Sequence, residues 1–206
     1  MRTARLEAFS DGIFAFAITL LILAIDLPDA GHRPHLARDL LQLWPSYLAY
    51  ALSVFVIGAI WINHHGMFQH IERVDNSFLL LNLLQLMTIA FIPFPTAVLA
   101  ETIAAGSGMP IAAAFYGLTL TVVGIFVNAM WWYAVRADLL KREIGEAKVR
   151  LLTRRFALGP IAYAIAAAIG LFLPWVALAI FVGLNLFYLW PRWKRQSESS
   201  GAARPT

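Results

Sequence analysis

The chain has 206 residues, of which 60% are hydrophobic and only 14% charged, with a mean hydropathy of +0.70 and a net charge of +4. A soluble domain carries about 25% charged residues, so a water-soluble fold is excluded and the chain is read as an integral membrane protein. With no cysteine, disulfides, thiolate catalysis and Cys-built metal sites are excluded as well.

Six apolar runs are long enough, or nearly so, to cross a hydrocarbon core of roughly 30 Å, which takes about 20 residues. They lie near 9–28, 44–66, 77–99, 110–135, 156–174 and 175–193. The first opens on RLEAFSD (5–11) and continues GIFAFAITLLILAIDLP. Arg2 and Arg5 resemble the basic region of a signal peptide. The run is too long for one, however; Glu7 and Asp11 interrupt its start, and no convincing small-x-small cleavage site follows before Pro28. It is therefore expected to remain as the first spanning helix. On a wheel of about 100° per residue, Arg5, Phe9, Gly12, Phe16, Leu20, Leu23 and Leu27 share one strip, with Thr19 at its edge. Ser10 and Asp11 point elsewhere, toward neighbouring helices.

The second run descends as the first rises, so Ser10 and Asp11 lie level with Trp61, Asn63, His64 and His65 at its end. The start of the third run, with Ser77, Asn82 and Gln85, lies at the same depth. Those side chains can supply the donors that a carboxylate at a membrane boundary needs. The alternative is that Ser10 and Asp11 cap the first helix. His64, His65 and His70 are the one possible metal cluster. Adjacent histidines diverge by about 100° on a helix, and no two of the three stand four apart, so bonding to polar neighbours is expected and no tightly bound metal.

In the third run, IPFP (92–95) can break the helix toward its outer end. After the fourth, RADLLKREIGEAKVRLLTRR (136–155) mixes charges at helical spacing and is read as an extension of the fourth and fifth helices, with Gly145 as its weak point. Only Leu173-Pro174-Trp175 separates the last two runs, which must form a tight hairpin. Residues 194–206 are a polar tail expected to be disordered, leaving 1–193 as one transmembrane domain. Trp44 and Trp175 at one interface, and Trp131, Trp132, Trp190 and Trp193 at the other, read as an aromatic belt.

Orientation follows from the basic residues. With the N-terminus cytoplasmic, 14 of the 16 Lys and Arg fall on the cytoplasmic side, leaving Arg33 and Arg38 outside. Both termini are therefore placed inside. The basic excess is topological and implies no nucleic-acid partner. No HExxH, TVGYG-like loop, arginine ladder or phosphate-binding loop occurs. These absences argue against a zinc protease, a carbonyl-ring filter, a voltage sensor and ATP-driven transport.

The pattern R-x-x-x-F-S-D at the start of the first helix, here Arg5, Phe9, Ser10 and Asp11, resembles the signature of the lysosomal potassium channel family (transmembrane protein 175) and its bacterial relatives. The ITLLIL run and WINHH look like that family too, and six helices in a chain of this length suit its bacterial members. The resemblance implies an all-α membrane protein of six transmembrane helices, assembled as a homotetramer around one central pore lined by the first helix. It also implies passive, potassium-preferring conduction across the cell membrane, with no cofactor beyond transient K+. By resemblance, Phe16, Leu20 and Leu23 form the apolar constriction, and Thr19 is linked to potassium preference. Phe16 departs from the Ile or Leu usual at the first constriction. Ser10, Asp11, Asn63, His64, His65 and Asn82 are expected to form a supporting network.

Two other readings stand beside it. A small ion-coupled secondary transporter would use Asp11, but such proteins usually show broken midplane helices and paired repeats, and no repeat relates the first three helices to the last three. A membrane enzyme would use the histidines with Asp11.

Overall fold

The computed structural model describes residues 3–26 and 35–201, with side chains as far as Tyr188. Their fold is all-helical: α1 (Thr3–Leu20) tightening into a 3-10 turn (Leu21–Ala24), α2 (Leu36–Gln42), α3 (Trp44–Phe68), α4 (Asn76–Phe91), α5 (Pro93–Ala105), α6 (Met109–Arg136), α7 (Glu146–Gly170) and α8 (Pro174–Gly201). Five stretches are long and apolar enough to cross a membrane: Thr3–Ala24, Trp44–Phe68, Asn76–Ala105, Met109–Arg136 and Glu146–Gly170. Within α8 the apolar part described is Pro174–Tyr188. Arg2, Leu27, Pro28, Arg33 and 202–206 lie outside the described residues, as do the side chains of Trp190 and Trp193.

Several boundaries differ from the hydropathy reading. α1 begins at Thr3, six residues before the apolar run, because Arg5, Leu6, Glu7 and Ala8 are all good helix formers. Ser10 therefore lies two turns inside the helix, and its hydroxyl donates back to the Leu6 carbonyl at 2.8 Å. A cap would instead accept from an N–H ahead of it, so the capping alternative is overturned. The third run is two helices. Pro93 and Pro95 cannot donate to the carbonyls four residues back, and the Ile92 N–H takes the Ile89 carbonyl in a tighter turn at 3.1 Å. α7 starts ten residues earlier than the fifth apolar run, with Gly145 extended at its N-cap (φ −68°, ψ 147°). Trp131 does not join an interfacial belt: it is fully buried, and its indole donates to Thr153 Oγ1 at 2.8 Å.

The most extensive helix pairing among the described residues is α6 on α7, and it depends on small residues. A Cβ at Gly117 would stand 2.8 Å from both Ala167 Cβ and the Phe181 ring, and one at Gly124 would stand 3.2 Å from Pro160. Membrane helices gain contact through such close backbone approach, since lipid competes equally for apolar side chains. α1 packs on α3 and α4, while the 3-10 turn at its end packs on α3 and α5. At the N-terminal end of α1 the loops after α3 and α6 clasp each other. Glu72 N–H donates to the Leu139 carbonyl and Lys141 N–H to that of His70, both at 2.9 Å. Asp75 caps α4 through the Phe78 N–H (2.8 Å) and accepts from the Tyr133 hydroxyl (2.7 Å). This clasp gives the N-terminal half of α1 a fixed wall.

Candidate functional site

α1 has two faces with different fates. Leu6, Ser10, Phe14 and Ala17, with Leu21 beyond, are buried against α3 and α4. The opposite strip is uncovered: Phe9, Phe16 and Leu23 are 53%, 57% and 74% exposed, Arg5, Gly12 and Thr19 are exposed, and Leu20 is half-buried. The R-x-x-x-F-S-D motif is thus split. Arg5 and Phe9 stand on the open strip, while Ser10 is inside the chain and Asp11 is on its flank.

Two features of the strip follow from backbone geometry. The Thr19 hydroxyl donates to the Phe16 carbonyl at 2.8 Å, so its hydrogen is turned into the helix and its lone pairs are left outward. From Leu21 the chain tightens to 3-10 geometry, in which residues three apart eclipse each other. That brings Leu23 more nearly into line with Leu20 than a uniform α-helical wheel does.

Behind the strip runs a directed chain of buried hydrogen bonds. Asn82 Oδ1 can only accept, so His64, 3.0 Å away through Nε2, donates to it. Asn82 Nδ2 donates to Ser10 Oγ at 3.1 Å, and Ser10 donates to Leu6 as described. The chain carries α3 and α4 onto the α1 backbone in three steps. His64 Nδ1 is buried without a partner among the described residues, and its ring is flanked by Phe14 and Phe68, with centroids at 5.3 and 4.5 Å.

A second contact runs along the flank. Glu7 and Asp11, one turn apart on α1, meet His65 and Trp61, one turn apart on α3. Glu7 Oε1 lies 2.6 Å from His65 Nδ1, and the Trp61 indole donates to Asp11 Oδ1 at 2.7 Å. The Trp61 and His65 rings stack at 6.1 Å. With His64 bonded to Asn82 and His65 to Glu7, the histidines do not converge. No group of three metal-ligating side chains occurs among the described residues.

Three expected members are not in this network. Asn63 donates to the Ala59 carbonyl of its own helix at 2.8 Å and lines a pocket away from α1. Ser77 is exposed. Gln85 is buried, and neither of its amide atoms has a hydrogen-bond partner among the described residues. Glu7 was missed by sequence reasoning. Its spacing of four from Asp11, opposite the same spacing of Trp61 and His65, was the available signal.

The model of the family described as endosomal/lysosomal potassium channel TMEM175 matches residues 5–93. A potassium channel of Streptomyces collinus is 41% identical over 187 residues, covering 90% of this chain and 91% of that protein. One of Chamaesiphon minutus is 38% identical over 189 residues, covering 90% and 93%. The crystal structure of a lysosomal potassium-selective channel TMEM175 homologue from Chamaesiphon minutus is similar with a TM-score of 0.81 at 35% identity, covering 91% of this chain and 96% of that one.

Proposed function

This chain belongs to the TMEM175 potassium-channel family, and from that premise we propose that it is a passive, potassium-preferring cation channel of the cell membrane. Four copies assemble with the α1 strips facing a common axis. Each copy spans the bilayer six times, counting α8, with both termini cytoplasmic in keeping with the 14-to-2 division of basic residues.

The observation that carries this reading is the bare strip on α1. It is mostly apolar from Phe9 to Leu23 and, among the described residues, largely uncovered apart from the half-buried Leu20, while Ser10 beside it is turned inward and Asp11 is held on the flank. Asp11 is bonded to Trp61, off the strip, which disfavours an ion-coupling carboxylate and with it the transporter reading. In the tetramer Phe16, Leu20 and Leu23 form the constriction. Passage through apolar rings requires partial dehydration, and potassium sheds water more readily than sodium. Without a ring of carbonyls to replace that water, the preference is modest and conduction slow. The outward lone pairs of four Thr19 hydroxyls supply the partial replacement.

Planar-bilayer recordings of purified protein between potassium and sodium solutions test this. A reversal potential displaced toward the potassium equilibrium value is expected, with unitary flux far above transporter turnover. Flux resolvable only at transporter rates would overturn the channel. Mass measurement in mild detergent should give four chains; a conducting monomer or dimer would overturn the axial pore.

A further inference from the structure

The start of α7 carries a basic feature that the pore does not use. Residues 136–155 hold seven Lys and Arg against three Asp and Glu, a surplus of four that equals the net charge of the whole chain. Two adjacent arginines here have different surroundings. Arg155 reaches α8, where its guanidinium donates to the Tyr188 carbonyl at 3.0 Å and lies 5.6 Å from the centre of the Tyr188 ring. Arg154, about 100° round the helix, is exposed and has no hydrogen bond or ion pair among the described residues. It shares one stripe of α7 with Leu151, Leu158, Ile161 and Ile165, which stand at helical spacing and are all more than half exposed. Arg150, one turn before it, is held by an exposed pair with Glu146 at 3.4 Å. α7 packs on α6 and α8, whereas α1 packs on α3, α4 and α5, which sets this stripe apart from the pore strip.

The depth of Arg154 follows from α6. The Trp131 indole donates to Thr153 Oγ1 at 2.8 Å, so Trp132 and Arg154 stand within one turn of each other along the bundle. Trp132 is exposed, with the Arg136 guanidinium 4.9 Å from its ring centre, a pairing suited to the headgroup level. Leu158 is then about 6 Å deeper, among acyl chains. A cation on a lipid-facing stripe is costly unless it reaches a counter-charge, and a guanidinium fork matches phosphate oxygens in a bidentate fashion. The positive-inside pattern accounts for basic residues gathering at this end, but not for one unpaired guanidinium on the same stripe as lipid-facing leucine and isoleucine. We propose that Arg154, with Arg150, binds the phosphate of an anionic phospholipid whose acyl chains lie along Leu158, Ile161 and Ile165. The surplus of positive charge favours a lipid of net negative charge over a zwitterionic one. The site requires only that α7 face lipid, so it stands apart from the channel reading.

Native mass spectrometry of the full chain in mild detergent tests the site, with palmitoyl-oleoyl phosphatidylglycerol and phosphatidylcholine titrated separately and bound lipid counted per chain. Phosphatidylglycerol should bind the more tightly. Arg154→Gln should weaken its binding about fivefold, the contribution of one basic residue near a membrane surface. Arg154→Lys keeps the charge without the fork and should lose less. Arg38→Gln removes the same charge from α2 at the other end of the bundle and should lose nothing. Because Arg154 is exposed and unpaired among the described residues, its variants should melt with the wild type in the absence of added lipid. Millimolar inorganic phosphate should leave the bound lipid in place, since the acyl chains contribute on the stripe. Equal binding of the two lipids, a loss in Arg154→Gln no greater than in Arg38→Gln, or displacement by inorganic phosphate would each overturn the proposal.

Discussion

Thr19 turns its hydroxyl hydrogen onto the carbonyl of Phe16, 2.8 Å away, so the two residues assigned to constriction and ion preference are joined through the helix backbone. The bond leaves an oxygen with only lone pairs facing outward, the arrangement a cation requires. Thr19→Ser keeps that oxygen and should keep the preference. Thr19→Val keeps the shape and loses the oxygen, so potassium preference should fall by about fivefold, the equivalent of roughly 1 kcal/mol, with current retained. Reversal potentials of the two variants decide it; equal values would remove the hydroxyl from any part in selection.

Phe16 and Leu23 extend from the strip with most of their surface uncovered, so shortening them should alter permeation with little change in the fold. Phe16→Ala and Leu23→Ser are expected to raise unitary conductance and lower discrimination between potassium and sodium, Leu23→Ser also by wetting the ring. Leu21→Ala is the contrast, because Leu21 is fully buried in the principal apolar core. It should lower thermal stability by about 2–5 kcal/mol. Conductance unchanged in both strip variants would mean that ions cross elsewhere.

The strip was legible because helical period and apolarity suffice to draw it, and the wheel placed Phe16, Leu20 and Leu23 together without any structure. Its bend was not. The change to 3-10 geometry at Leu21 leaves no mark in LILA, since four apolar residues satisfy either helix, and the packing of that turn on α3 and α5 is long-range. Depth matching brought Ser10 level with His64 and Asn82, which do meet it in one chain. It equally admitted Asn63, adjacent to His64, whose side chain points to a different neighbour: depth is a one-dimensional coordinate and azimuth needs the fold. Trp131 shows the same limit, since position near a helix end suggests an interface while α7 buries it.

Asp11 accepts from Trp61 on the flank of α1, and that bond gives it a structural role. Asp11→Asn retains an acceptor oxygen and loses the charge, so the fold should weaken modestly, by about 1 kcal/mol. Asp11→Leu leaves the indole N–H unpaired and should cost about 1–3 kcal/mol. Trp61→Phe should cost a similar amount, and combining it with Asp11→Leu should add little, because both changes remove one interaction. Thermal unfolding of the purified protein measures all four. Potassium preference should stay constant in whatever assembles; a reversed ion preference in Asp11→Asn would place the carboxylate in the ion path.

Asp75 ties the start of α4 to α6 and contributes a pH dependence whose sign is fixed. The Phe78 N–H donates to one carboxylate oxygen and the Tyr133 hydroxyl to the other. These bonds, the backbone one foremost, hold its pKa below the ordinary 3.8. A depressed carboxylate stabilises the fold fully above its unfolded pKa, and the contribution is lost as pH falls through the folded one. The wild-type protein should therefore melt above Asp75→Asn at pH 7, and the difference should begin to shrink below about pH 4 and go on shrinking as pH falls through the lower folded pKa. Tyr133→Phe removes the second donor, which should narrow the gap at pH 7. Melting curves of the three proteins at pH 7 and pH 3 test this, and a gap undiminished at pH 3 would show that the carboxylate charge is not its source.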